Sequence, residues 1–342
     1  LIGGSNQQNL RKIKKRKSTM IKIGFIGAGW VAEQHLTALK KLDDVSVTSI
    51  YNPTRSKAEK LASLCDASVY DSPSDIIRNV DVVYALAPQD MRISHVMEAA
   101  RHGKHIFCEK PFANTLSEAD RQIEVIESAG VKVQMGFVMR HFANFKLLFD
   151  TFASGELGEL VTVWTRRMWY RTFPSDYYQS SMARSGGLTN ELNVHDYDWL
   201  RTIGGDISSV YGRIIGTRPD RDVEENSWSL LNFSRGFGMV GTSWLSTLSD
   251  TSAGIIGTNG TIILQGDTVK KKLIDSNEEE IFKFNEDKLM PDAYISQERE
   301  FIDCIKYNKK PSADVYAGRA ATEIALAVIK SSRLNGVIDI SH

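Results

Sequence analysis

Cysteine and proline are scarce in this chain of 342 residues, with three of the first and eight of the second. The cysteines, Cys65, Cys108 and Cys304, lie far apart. That spacing excludes a disulfide framework and a C-x-x-C metal knuckle, so a reducing, cytoplasmic setting is the expectation. The absence of any Pro-rich or Gly/Ser-rich tract excludes collagen-like and low-complexity chains. No apolar run approaches the ~20 residues that a membrane-spanning helix needs, so no membrane partner is expected. A net charge is missing too, at 42 cations against 42 anions, but the balance sums two unlike pieces. Residues 1–19 hold Arg11, Lys12, Lys14, Lys15, Arg16 and Lys17 and no acid, so the remainder is mildly acidic. A body of that sign repels a phosphate backbone, which argues against nucleic acid as a partner. The basic stretch stops just before Met20 and has no apolar h-region; it is expected to be a disordered tail, or a scar of expression or upstream translation.

From Ile21 onward the pattern is strand, turn, helix, repeated. Strands are expected at Ile21 to Ile26, Val45 to Tyr51, Val80 to Leu86, His105 to Cys108 and Val131 to Val138. Helices are expected at Val31 to Lys41, Lys57 to Cys65, Ser94 to His102 and Ser117 to Ala129. Such alternation implies a doubly wound parallel sheet over residues 20–141. After Phe142 the grammar changes. A helix from Phe145 to Ala153 leads into segments that alternate polar and apolar residues: Leu160 to Trp169, Ile207 to Thr217, Asn226 to Phe233, Gly238 to Ser246, Ile255 to Leu264 and Lys271 to Phe284. Two helices close the chain, Ala293 to Tyr307 and Ala317 to Leu334. Residues 142–342 therefore read as an α+β domain with an open, mostly antiparallel sheet.

Gly27-Ala28-Gly29-Trp30-Val31-Ala32 is G-x-G-x-x-A between a strand and a helix. The first glycine permits the tight turn, the second lets backbone approach a pyrophosphate, and the small Ala32 permits close packing of helix on strand. The end of the second strand, where an acid usually binds the ribose hydroxyls of NAD, reads Tyr51-Asn52-Pro53-Thr54-Arg55-Ser56-Lys57. No acid is there. Asn52 would not repel a 2′-phosphate and Arg55 or Lys57 would pair with one, so NADP is slightly favoured over NAD.

Two further segments carry titratable groups. Cys108-Glu109-Lys110-Pro111-Phe112 follows a strand at the end of the sheet where ligands bind, so Lys110 can meet both a nicotinamide and a substrate oxygen; a surface Glu-Lys pair is the plainer reading. In the run from Gly186 to Leu200, Glu191 and His195 are four apart, hence neighbours on one helix face, with Asp198 three further. An acid beside a histidine holds an imidazole ready as a general base. A metal on Glu-x-x-x-His-x-x-Asp is disfavoured because no other His or Cys completes a shell, and a core histidine is the remaining alternative.

Together with Gly136-Phe137, Arg140, Gly155-Glu156-Leu157-Gly158 and Gly257 to Gly260, these motifs make the chain resemble the Gfo/Idh/MocA family from Met20 to the C-terminus. That resemblance implies a Rossmann domain plus an open-sheet domain, bound NAD or NADP, and oxidation or reduction at one carbon of a sugar or cyclitol. It implies Lys110, His195 and Glu191 as the catalytic set. The implied cofactor set is Gly27, Ala28, Gly29, Trp30, Val31, Asn52, Arg55, Ala87, Pro88, Gln89, Glu109 and Lys110. Ala87-Pro88-Gln89 stands where the family has Thr-Pro-Asn, Arg92 where a His is common, and Glu191 where the usual acid is Asp. Substrate is expected on Lys110, Arg140, Trp169, Tyr170, Asn193 and His195, with no metal. Aromatic and basic residues around Trp164, Arg166, Arg167, Arg171, Phe173, Tyr177 and Tyr178 suit a hydroxylated ring. The alternatives are a dihydrodiol or bilin type of ring substrate, or a non-enzymatic NAD(P)-binding sensor, against which the joint presence of Lys110 and His195 counts. An uncovered sheet face leads to the expectation of a homodimer or homotetramer.

Overall fold

A computed structural model describes residues 20–340. The basic tail, residues 1–19, lies outside the described residues. The first half runs β1 (Ile21–Ile26), α1 (Trp30–Leu39), β2 (Val45–Tyr51), α2 (Arg55–Ala62), β3 (Ser68–Val69), α3 (Pro73–Asn79), β4 (Val82–Ala85), α4 (Gln89–Arg101), β5 (His105–Cys108), α5 (Leu116–Ala129) and β6 (Val133–Met135). Its six strands pair in parallel in the order β3-β2-β1-β4-β5-β6. Strands buried on both faces read as unbroken apolar runs, as Val82–Ala85 does. Strand order reverses between β1 and β4, so the ends of these two strands bound the crevice in which such sheets take ligands.

A short 3₁₀ turn, Val138–His141, leads into α6 (Ala143–Ala153), β7 (Leu160–Tyr170), α7 (Met182–Ser185), α8 (Gly187–Glu191) and α9 (Val194–Gly204). The rest comprises β8 (Ile207–Ile215), β9 (Asn226–Phe233), β10 (Phe237–Ser243), β11 (Leu245–Gly257), β12 (Gly260–Gln265), β13 (Thr268–Leu273), β14 (Glu280–Lys283), α10 (Glu286–Lys306), α11 (Val315–Leu334) and β15 (Ile338–Asp339). These strands form one nine-stranded sheet, β14-β13-β12-β11-β7-β10-β9-β8-β15. It is antiparallel except where β10 runs parallel to β7.

The α+β half does not stand apart. α10 crosses back to α1, and its Phe301 and Ile302 join Phe25, Leu36, Tyr84 and Phe107 in the core of the first sheet. A second core cluster runs from Ala85 and Phe112 through Phe137 to Trp199, Leu231 and Val328. Among the described residues no helix is long and apolar enough to cross a membrane.

Candidate active site

The glycine turn lies at the end of β1. Gly27 has φ +119°, and a Cβ there would fall 2.7 Å from the Ala87 nitrogen and the Leu86 carbonyl carbon, so both conformation and space demand glycine. A Cβ on Gly29 would meet no atom within 4 Å, and no side chain caps the start of α1. Open space beside free helix-start amides fits a pyrophosphate. The Ala28 N–H donates to Asn52 Oδ1 at 3.1 Å, which fixes the turn against the end of β2. Trp30 is exposed, whereas Ala32 is buried under the helix. Arg55 begins α2 and bonds Glu59 Oε1 at 2.9 Å and also Asp71, so its guanidinium already has two carboxylates beside it.

Across the crevice, Ala87 and Pro88 lead into α4, which Gln89 opens. The Gln89 side chain is buried with neither amide atom hydrogen-bonded. Arg92, one turn on, is buried; it donates to the Ala87 carbonyl at 3.1 Å and to the Pro111 carbonyl, and so ties this loop to the Lys110 turn. Lys110 Nζ donates to the Glu191 carbonyl oxygen at 2.8 Å and to Glu191 Oε1 at 2.9 Å. The same carboxylate oxygen accepts from Gln179 Nε2 at 2.7 Å and from the Tyr178 hydroxyl at 3.5 Å.

Glu191 and His195 do not share one helix. α8 ends at Glu191, and α9 begins at Val194 after a break at Leu192 and Asn193. The expected acid-on-histidine contact is therefore replaced: Glu191 holds Lys110, and His195 Nδ1 is buried without a hydrogen-bond partner. Burial, followed by the charges of Lys110 and Arg167, holds the His195 pKa well below its ordinary value of 6.5. Its imidazole is neutral at physiological pH.

Several expected ligands already have partners within the protein. The guanidinium of Arg140 grips the buried Asp198 through two bonds of 2.6 Å and donates to the Ser312 carbonyl at 2.6 Å, so three of its five N–H groups serve as a structural clamp. Glu109 turns its carboxylate inward, onto His35 Nε2 at 3.2 Å and the Lys110 N–H at 3.0 Å, rather than toward the crevice. Tyr170 is exposed under the Arg218 guanidinium, and by strand alternation it lies on the face opposite Trp169. Trp169 shares its face with Arg167, which clamps Asp196 on α9. Asn193 is buried and donates to Ser227 Oγ at 3.2 Å. The acids of the Glu-x-x-x-His-x-x-Asp run are divided between Lys110 and Arg140, and among the described residues no group of three or more His, Cys, Asp or Glu could hold a metal ion.

Two family models match this chain. Residues 21–137 match the oxidoreductase family with an NAD-binding Rossmann fold, and residues 145–263 match the GFO/IDH/MocA C-terminal domain. The chain belongs to the GFO/IDH/MocA family of oxidoreductases. It is 26% identical over 331 residues to the myo-inositol 2-dehydrogenase of Thermotoga maritima, covering 91% of this chain and 96% of that one. It is 24% identical to the NAD⁺-dependent scyllo-inositol 2-dehydrogenase of Bacillus subtilis, covering 93% and 95% of the two chains. Levoglucosan dehydrogenase, solved with NADH and levoglucosan, superposes with a TM-score of 0.88 at 16% identity over 95% of this chain and all of that one, a likeness of fold. Within this GFO/IDH/MocA frame, motif reading missed Gln179 on Glu191 and, for Arg92, the bridge to the Pro111 carbonyl. Both act through contacts distant in sequence.

Proposed function

We propose that this oxidoreductase moves a hydride between NAD(P) and one hydroxyl-bearing carbon of a sugar, sugar derivative or cyclitol. The observation that carries the reading is Lys110, its ammonium fixed 2.9 Å from Glu191 while its charge bears on a buried, neutral His195. The inositol substrates named for the relatives supply the class. The turn from Gly27 to Val31 would hold the pyrophosphate, Asn52 and Arg55 the adenosine ribose, and Ala87 to Gln89 with Lys110 the nicotinamide side. When bound, the cofactor supplies C4 of its ring as hydride acceptor or donor. In oxidation, His195 takes the hydroxyl proton on its neutral ring, and in reduction it returns that proton. Lys110 donates an N–H to the reacting oxygen and stabilises the charge that develops there. Glu191, with Gln179 and Tyr178 on its carboxylate, keeps Nζ in place.

Because no acid follows β2, NADP is taken at least as well as NAD. The three unpaired cysteines favour a reducing, cytoplasmic setting. We place the division between cofactor and substrate domains at 141/142, and we assign the uncovered sheet face to a homodimer or homotetramer. The test is a screen of sugars, sugar phosphates, sugar nucleotides and inositols with both cofactors, following absorbance of the reduced nicotinamide. Turnover of an inositol or sugar is the expected result; turnover of aromatic diols alone, or of nothing despite tight cofactor binding, would overturn it.

A further inference from the structure

Beneath the Lys110 turn lies a buried ionic centre that the hydride chemistry does not use. His35, on α1, is fully buried. Its Nε2 lies 3.2 Å from Glu109 Oε1, and its Nδ1 bonds Oε1 of Glu298, a residue of α10 that is itself fully buried. A neutral imidazole has one N–H and one lone pair, so it can satisfy one carboxylate and must turn a lone pair on the other. The second oxygen of each carboxylate is also occupied by a donor. The Tyr84 hydroxyl donates to Glu298 Oε2, and the Lys110 N–H donates to Glu109 Oε2 at 3.0 Å. Room for this arrangement is built in, since a Cβ on Gly136 would come within 2.5 Å of Glu109 Oε1.

We infer that His35 is a buried imidazolium that positions the Lys110 turn, locking α1, the Glu109-Lys110 segment and α10 to one another through its two N–H groups. The inference rests on the reading of Lys110 as the residue that meets the reacting oxygen. The groups facing His35 come from every element packed around it: Glu109 after β5, Tyr84 on β4, and Glu298 and Tyr294 on α10. The rings of Phe107 and Tyr294 stand edge-on at 4.7 and 5.1 Å between centroids and help to exclude water. Lys110 and Arg92 add their charges at Glu109. Burial opposes the charge on His35, but Glu298 and Glu109 outweigh it and push the pKa up to about 9. For Glu109, burial likewise opposes ionisation, and the bond and charge of His35 hold its carboxyl below the usual range.

The sign of the linkage follows. A histidine whose pKa is raised on folding contributes stability in full below about 6.5, its unfolded value, and loses that contribution as pH climbs through about 9. Over that window the ring loses a proton and one carboxylate faces a lone pair, so the Lys110 turn loosens at the same pH.

Nitrogen NMR of the histidine rings in the full chain reads the charge directly and needs no variant. Both His35 nitrogens should be protonated at neutral pH and titrate near pH 9; a singly protonated ring at neutral pH would overturn the inference. Glu298→Gln keeps the volume and removes one charge, so the His35 titration should fall by about one unit or more. The alkaline limb of kcat should move down with it, while KM for the substrate stays the same and Glu298→Asp restores part of the shift. An unmoved kcat profile in a Glu298→Gln protein whose His35 titration has moved would refute the positioning role. Failure of the Lys110 reading would be seen separately, as turnover retained in Lys110→Ala with the ring signals of His35 unchanged.

Discussion

Glu191 serves Lys110 rather than His195, and that changes what each side chain is expected to do. His195 needs no carboxylate to be a base, because burial with two nearby cations already keeps it in the form that can accept a proton. His195→Ala should lower turnover on the order of 10²–10⁴-fold while leaving cofactor affinity, measured by fluorescence, little changed. Near-normal turnover would make it a core histidine. On the function proposed above, cofactor choice turns on Arg55, which stands between Glu59 and Asp71 at the exposed start of α2. Asp71→Asn should release it and tighten NADP by up to about fivefold, the worth of one exposed ion pair, with NAD unmoved. Equal shifts for both cofactors in parallel titrations would show that Arg55 does not read the 2′-phosphate. Lys110 and His195 stood out as candidates through the family resemblance, since their own stretches also read as a surface Glu-Lys pair and a core histidine. The clamp on Arg140 was not legible: nothing within its own stretch reveals that Asp198, which holds it, lies across the chain 58 residues on.

Secondary elements were legible where a single rule set them. β2 and β5 fall on the expected residues, and α5 ends as expected at Ala129 and begins at Leu116, where Thr115 and Glu118 close a capping box. β3 and α3 were missed because two strand residues and a seven-residue, largely polar helix hold too little periodicity to register. The expected strand from Ile255 to Leu264 is the turn of a hairpin, with Ile256 opposite Thr261. Its one signal, Asn259-Gly260, is a turn dipeptide that the surrounding apolar residues masked. α10 was started too late, at Ala293, because Pro291 reads as a boundary; the helix instead starts at Glu286 under an Asn285 cap and carries the proline within it. The helical spacing from Glu191 to His195 misled in the same way, since Leu192 and Asn193 break the helix between them. The cap on α5 gives a prediction at this scale. Thr115→Ala removes a bond of 3.2 Å to the Glu118 N–H, at a cost of about 1 kcal/mol. Hydrogen exchange of the first turn of α5 should therefore quicken about fivefold with α9 unaffected, and unchanged exchange would show that the packing of α5 alone holds its start.

At the scale of the molecule, the two faces of the nine-stranded sheet differ in a way that predicts assembly. One face is covered: Val210, Leu231, Val163, Ile255 and Ile262, from five of the six strands between β8 and β12, are fully buried. The other is not. Tyr211, Leu230, Met239, Trp164, Gly254 and Ile263 lie in one register row across β8, β9, β10, β7, β11 and β12. Leu230 is 44% and Ile263 38% exposed, and Trp228 on the adjoining row is 45% exposed. An apolar row crossing six strands is more than scattered surface leucines, and a stable interface needs roughly 1,000 Å² or more of such surface. Self-pairing is the simplest way for one chain to cover it, because a two-fold axis brings identical patches together. Light scattering on the purified chain should then give a multiple of the 38.3 kDa protomer. Leu230→Glu places a charge within the row and should shift that mass toward the protomer. Cofactor binding should survive, since the glycine turn lies on the other sheet. A wild-type protein that remains a protomer at micromolar concentration would refute self-pairing, and so would a Leu230→Glu variant with unchanged mass.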